Sequence, residues 1–168
     1  MEILTYPDER LKGEALPVEQ FDDELRQFIV ELDAFMRTQP GGSGIAAPQV
    51  GRKQRVCIVD LTGMTRGKRK KPIPNQGRLL LINPEITEWD GFELGREGCM
   101  SVPDYTGNVI RATQIRFTAQ DEWGELHHYE SEGFEARAIQ HEADHLDGLL
   151  FLDRLVSRRS DLFQRKKP

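Results

Sequence analysis

Cysteine is scarce in this chain. The two that occur, Cys57 and Cys99, lie far apart and form no C-x-x-C pair, so neither a disulfide scaffold nor a four-cysteine zinc site is expected. Basic charge is not in surplus either: 23 Lys and Arg stand against 28 Asp and Glu, a formal net charge of -5. That balance argues against a dedicated nucleic-acid binder, DNA included. No apolar run approaches membrane-spanning length, and no charged-then-apolar leader opens the chain. No internal repeat or low-complexity tract is present. A protein with no membrane association is expected. The bacterial cytoplasm is its expected place, with an organelle the alternative if a transit peptide was removed. At 168 residues the chain has the size of one domain, spanning 1–168, and can bury a real core.

Over residues 17–37 the apolar positions Phe21, Leu25, Phe28, Ile29, Leu32, Phe35 and Met36 have the spacing of one stripe on an amphipathic helix. Gln39-Pro40-Gly41-Gly42 should stop it and open a glycine-rich segment, 41–49. Runs rich in Val, Ile, Leu, Phe and Tyr at 55–61, 78–83, 114–119 and 125–130 read as strands of an antiparallel sheet. Between the first two, residues 62–77 carry Arg66, Lys68, Arg69, Lys70 and Lys71 without apolar periodicity, so a mobile, exposed basic loop is expected there. A second helix should begin at Gly133 or Phe134 and close at Asp147, with Gly148 just past its end. Residues 157–168 form a basic C-terminal tail. The succession predicts an α+β fold in which antiparallel sheets pack around a central helix, with an N-terminal amphipathic helix beside them.

That second helix contains His141-Glu142-Ala143-Asp144-His145. An H-E-x-x-H segment on a helix stacks two imidazoles on one face within reach of one metal ion, with the glutamate beside them. A catalytic metal normally takes three protein ligands and leaves one position for water, so a third donor must come from elsewhere. No histidine follows His145. Upstream, Glu97-Gly98-Cys99-Met100-Ser101 offers a thiolate next to a glycine and outside the clear strand runs, which makes Cys99 the third ligand. Cys57, inside the strand at 55–61, reads as a small buried hydrophobe.

Three segments together, Gly42-Ser43-Gly44-Ile45-Ala46-Ala47-Pro48-Gln49, Glu97-Gly98-Cys99-Met100-Ser101 and Gln140-His141-Glu142-Ala143-Asp144-His145-Leu146-Asp147-Gly148, resemble the peptide deformylases in order and spacing. The likeness runs from Leu4-Thr5-Tyr6-Pro7-Asp8 to about Asp153. It implies a hydrolase that removes the formyl group from the N-terminal formylmethionine of nascent polypeptides. One divalent ion would be held by Cys99, His141 and His145, ferrous iron in the cell, with zinc, nickel or cobalt able to substitute. Glu142 would move the protons, and the Gln49 amide and the Met100 backbone N–H would receive the charge developing on the formyl oxygen. Gly44 would give clearance to a substrate backbone lying alongside. The methionine pocket would draw on Phe134 and Ala138, plus Ile45 or residues near Cys99. Ser43 departs from the family pattern, which is usually apolar there. Glu97 is expected to orient a metal-bound imidazole, while Asp144 and Arg111 stay open as further partners.

Two other readings remain at this point. A zinc peptidase could use the same H-E-x-x-H segment with Cys99 incidental. A binding protein could use the basic loop or tail to sit on ribosomal RNA near emerging chains, and a weak ribosome contact would also suit an enzyme of nascent chains.

Overall fold

The computed structural model describes residues 1–166. In chain order it contains α1 (Asp23–Thr38), β1 (Gly44–Ala46), β2 (Val56–Asp60), β3 (Thr65–Arg66), β4 (Lys71–Pro72), β5 (Arg78–Cys99), β6 (Val102–Gln120), β7 (Leu126–Glu132), α2 (Gly133–Leu146), a four-residue helix α3 (Arg158–Asp161) and β8 (Leu162–Gln164). The main sheet has the order β1-β2-β5-β6-β7, with β8 on the second side of β6. All its pairings are antiparallel. The expected α+β architecture is present, with α2 packed against β1, β2, β6 and β7.

Side chains alternate across a strand, so a strand buried on both faces reads as an unbroken apolar run. Val56-Cys57-Ile58-Val59 and Leu79-Leu80-Leu81-Ile82 are such runs. Val56, Ile58, Leu80 and Ile82 pack with Leu25, Phe28, Ile29, Leu32 and Met36 of α1. Their alternates Cys57, Val59, Leu79 and Leu81 pack with Ala136, Ile139 and Leu146 of α2. One pair of strands thus separates two cores.

The structure corrects four boundaries. Helix α1 starts at Asp23, not at residue 17: the Asp22 carboxylate accepts from Leu25 N at 2.9 Å and caps it. The segment before it is held away from helical geometry by Asn83, whose side chain bonds both Val18 N–H and Val18 C=O at 2.8 and 2.9 Å. The expected strands 78–83 and 114–119 are parts of a hairpin whose arms, β5 and β6, run 22 and 19 residues. Residues 84–98 are rich in Glu, Asp and Gly and carry a weak strand signal, but the ladder from Glu85↔Thr118 to Gly98↔Thr106 overrides it. The basic segment 62–77 holds the small β3–β4 hairpin, and its Ile73 is buried in the α2 core. The tail contributes β8, paired through Tyr105–Gly107; Lys167 and Pro168 of the expected tail lie outside the described residues.

Candidate metal centre

Cys99 is the last residue of β5 and pairs with Val102 across the two-residue turn Met100–Ser101, so it sits at the tip of the long hairpin rather than outside strand structure. The ladder shifts there, between Gly98 and Cys99, and such a bulge re-aims the side chain that follows it. His141, Glu142 and His145 project from α2. One donor atom from each of Cys99, His141 and His145 lies within 4.8 Å of the others, and Cys99 Sγ is 3.3 Å from His145 Nε2. Hairpin tip and helix together form a trio that neither holds alone.

His141 is fixed from behind. His141 Nδ1 donates to Glu97 Oε1 at 2.9 Å, which leaves Nε2 as the donor atom. Glu97 accepts two bonds from Arg111, both 2.9 Å, and one from Arg137 at 2.7 Å. Arg111 also donates to Asp144 at 2.6 Å, and Asp144 accepts from Arg154. The result is a mostly buried row of alternating charge, Arg137, Glu97, Arg111, Asp144, Arg154, joining β5, β6 and α2. Burial opposes the Glu97 carboxylate, but the bonds from His141 and Arg111 outweigh it and hold its carboxyl far below the usual range. Glu97 therefore has the orienting place expected of it. Asp144 and Arg111 reach the histidine only through that row. Arg137 was not expected; its signal was Gly95, where a Cβ would lie 2.7 Å from the Arg137 guanidinium carbon.

Gln49 reaches the trio beside Cys99. It lies in a tight turn, Ala47–Val50, is 1 % exposed, accepts from Ala46 N at 3.0 Å and donates to Ser101 Oγ at 3.0 Å and Cys99 Sγ at 3.5 Å. Ser101 was the anchor missed in the sequence, although it stood in the same motif as Cys99. Gly44 also has a neighbour inside the chain. A Cβ there would lie 2.6 Å from Glu142 Oε2, so its missing side chain makes room for the glutamate.

Glu142 is buried, and its Oε1 has no hydrogen-bond partner among the described residues while lying 4.0 Å from His145 Nε2. A buried, unpartnered carboxylate oxygen is costly. Burial raises the proton affinity of this carboxyl, partly offset by the imidazoles of His141 and His145. Cys99 has the opposite bias: burial disfavours its charge, but His145 and His141 pull its thiol well below the ordinary value. A thiolate and two imidazoles fit a borderline divalent ion with one position left over, and the unpartnered oxygen stands beside it. The buried Cys57, by contrast, is pushed upward by burial and remains a neutral core thiol.

A cleft of about 150 Å³ opens onto the trio, with Ser43, Gly44, Gln49, Met100, Phe134 and Ala138 in its walls. Ile45 is absent from it; its side chain is fully buried in the α1 core. No helix among the described residues is long and apolar enough to cross a membrane.

The family described as polypeptide deformylase matches residues 1–161. A peptide deformylase of Alkalilimnicola ehrlichii is 42% identical over 166 residues, 99% of this chain and 88% of the relative. That of Wolinella succinogenes is 41% identical, over 98% of this chain and 91% of the relative. Among solved structures, the peptide deformylase of Thermotoga maritima superposes with a TM-score of 0.82 at 36% identity, covering 93% of this chain and 97% of the other. A Met-Ala-Ser-bound class I type b peptide deformylase of Acinetobacter baumannii gives 0.83 at 36% identity, over 92% and 98% of the two chains.

Proposed function

The chain belongs to the polypeptide deformylase family, a family of metal-dependent hydrolases that remove the N-terminal formyl group of nascent polypeptides, and from that premise we propose how its own residues do so. Cys99, His141 and His145 would hold the ion, ferrous iron in the cell, with zinc, nickel or cobalt able to take its place. When bound, the ion supplies the Lewis acidity that makes hydroxide available near neutral pH. The observation that carries the reading is Glu142 Oε1, buried and unpartnered beside His145.

Glu142 takes a proton from the attacking water and delivers it to the amine nitrogen as the C–N bond to formate breaks; its raised proton affinity suits both steps. The Gln49 amide, already directed at Cys99, and the Met100 backbone N–H receive the negative charge on the formyl oxygen. Phe134 and Ala138 in the cleft wall accept the methionine side chain, and Gly44 holds the space in which Glu142 works. The chain acts as one catalytic domain of the bacterial cytoplasm. The exposed basic residues Lys68 to Lys71, on the hairpin that stacks Arg66 over Phe134, support a weak ribosome contact, to be read as salt-sensitive cosedimentation lost when those charges are neutralised.

The direct test is formate release from formyl-Met-Ala-Ser by anaerobically prepared protein, wild type beside Glu142→Ala and Cys99→Ser, with metal content measured on each. Formate from wild type alone, with metal retained in Glu142→Ala and lost in Cys99→Ser, supports the assignments. Full metal retention in Cys99→Ser removes the thiolate from the ligand set.

A further inference from the structure

The rim of the cleft carries a charge with no counter-charge among the described residues. Arg96 lines the cleft and is exposed. Its guanidinium is held by Asn108 Oδ1 at 3.1 Å and Thr106 Oγ1 at 3.3 Å, and it stacks on the Phe163 ring at 3.7 Å from the centroid. All three partners are neutral, and its Nη2 makes no hydrogen bond among the described residues. A second guanidinium stands close by: a Cβ on Gly98 would collide with that of Arg165, which β8 carries to this edge. In a chain of net charge -5, two cations beside the ligand strand that make no ion pair among the described residues are not the average surface. A rigidly held, unneutralised arginine is suited to bidentate capture of a carboxylate.

The strand itself gives the distance. Arg96 precedes Cys99 by three residues in β5, about 10 Å at the extended rise of about 3.4 Å per residue. A peptide laid out along this edge, with its formyl group at Cys99, brings its second or third residue beside Arg96.

We propose that Arg96, seconded by Arg165, is a specificity-determining residue that favours formylated peptides with an acidic side chain at the second or third position. This rests on reading the cleft as the formylmethionine site. The experiment compares kcat/KM of the metal-loaded enzyme on amidated formyl-Met-Ala-Glu, formyl-Met-Ala-Gln and formyl-Met-Ala-Lys, with the acidic or basic residue also moved to the second position, for wild type, Arg96→Gln, Arg96→Lys and Arg165→Gln.

The wild type should prefer Glu over Lys by about fivefold, the range of one partly exposed charge contact, mainly in KM and fading with added salt. Arg96→Gln should erase most of that ratio, Arg165→Gln a smaller part, and Arg96→Lys should retain some of it. Because the readout is a ratio between substrates, a general loss of stability or metal does not imitate it. Equal kcat/KM on all three peptides in the wild type, or a preference that survives Arg96→Gln, overturns the proposal while leaving deformylation intact. Turnover of none of the peptides overturns the cleft reading and this proposal with it.

Discussion

The two faces of the β2–β5 pair carry different loads. Toward α1 the contact is apolar throughout, with Leu32 and Met36 fully buried among Ile45, Val56, Ile58 and Ile82. Toward α2 the strand side chains are apolar too and meet Ala136, Ile139 and Leu146, but this helix also buries Glu135, Arg137, Gln140, Glu142, Asp144 and His145, of which only Glu142 retains an unpartnered oxygen. An apolar face contributes stability in proportion to the area it buries. A buried polar face holds geometry, and each group in it is costly unless bonded. The lesson is a division of labour across one layer of backbone: α1 and its core hold the fold, and α2 spends part of its packing on chemistry.

Substitutions can test that division. The largest effect belongs to Glu142→Gln, which should lower formate release on the order of a thousandfold with no loss of thermal stability, because no hydrogen bond to Oε1 is broken; a lowered melting temperature would mean that the carboxylate supports the fold after all. Next comes Glu97→Gln. It deprives Arg111 and Arg137 of their shared anion and should destabilise by about 4 kcal/mol, within the range for a broken buried pair. Metal affinity should fall at least about tenfold as His141 loses its anchor. Urea denaturation with and without added metal separates the two losses.

On the α1 side, Leu32→Ala should cost about 3 kcal/mol by cavity formation yet leave kcat/KM of the folded fraction unchanged. A matching fall in activity would show that the two cores are mechanically coupled. The smallest effect is expected at Asp60, which accepts from Thr62 N at 3.0 Å and Arg37 at 2.9 Å. Burial raises its carboxyl, but these bonds bring it below the ordinary value. A carboxyl lower in the folded chain contributes stability that is present above about pH 4, its unfolded range, and drains as pH falls through the folded value. Asp60→Asn should therefore lose about 1 kcal/mol at pH 7, a figure kept small because Arg37 is half exposed, and less at pH 3. Equal losses at both pH values would assign the effect to packing.

What could be read in the sequence follows from how local the information is. The H-E-x-x-H spacing is a property of one helix turn, and His141, Glu142 and His145 stand where it predicts. Cys99 could be chosen by elimination, but not its place at a hairpin tip, because residues 84–98 owe their strand form to pairing partners more than to their own preference. The start of α1 is not legible locally because Asn83, 65 residues away from Val18, competes for that backbone. Gly44 is legible as a place of close approach, but its nearness to Glu142 is not, since that depends on the packing of α2 against β1. Arg137 and Ser101 act through groups distant in sequence and left no periodic trace.

The twofold burial of β2 has a consequence for assembly. Oiliness cannot tell its two faces apart, so sliding the strand by one residue would exchange Val56 and Ile58 for Cys57 and Val59 at little hydrophobic cost, where an ordinary half-buried strand would expose its core. The native alignment must then be chosen by polar punctuation at the strand's limits: Arg55 reaching Leu146 O and Asp147 at 3.1 Å at one end, and Asp60 with Arg37 at the other. These surface groups contribute little energy, but they act as proofreaders, setting the offset that β5 inherits from β2 before it carries Cys99 out to its ligands.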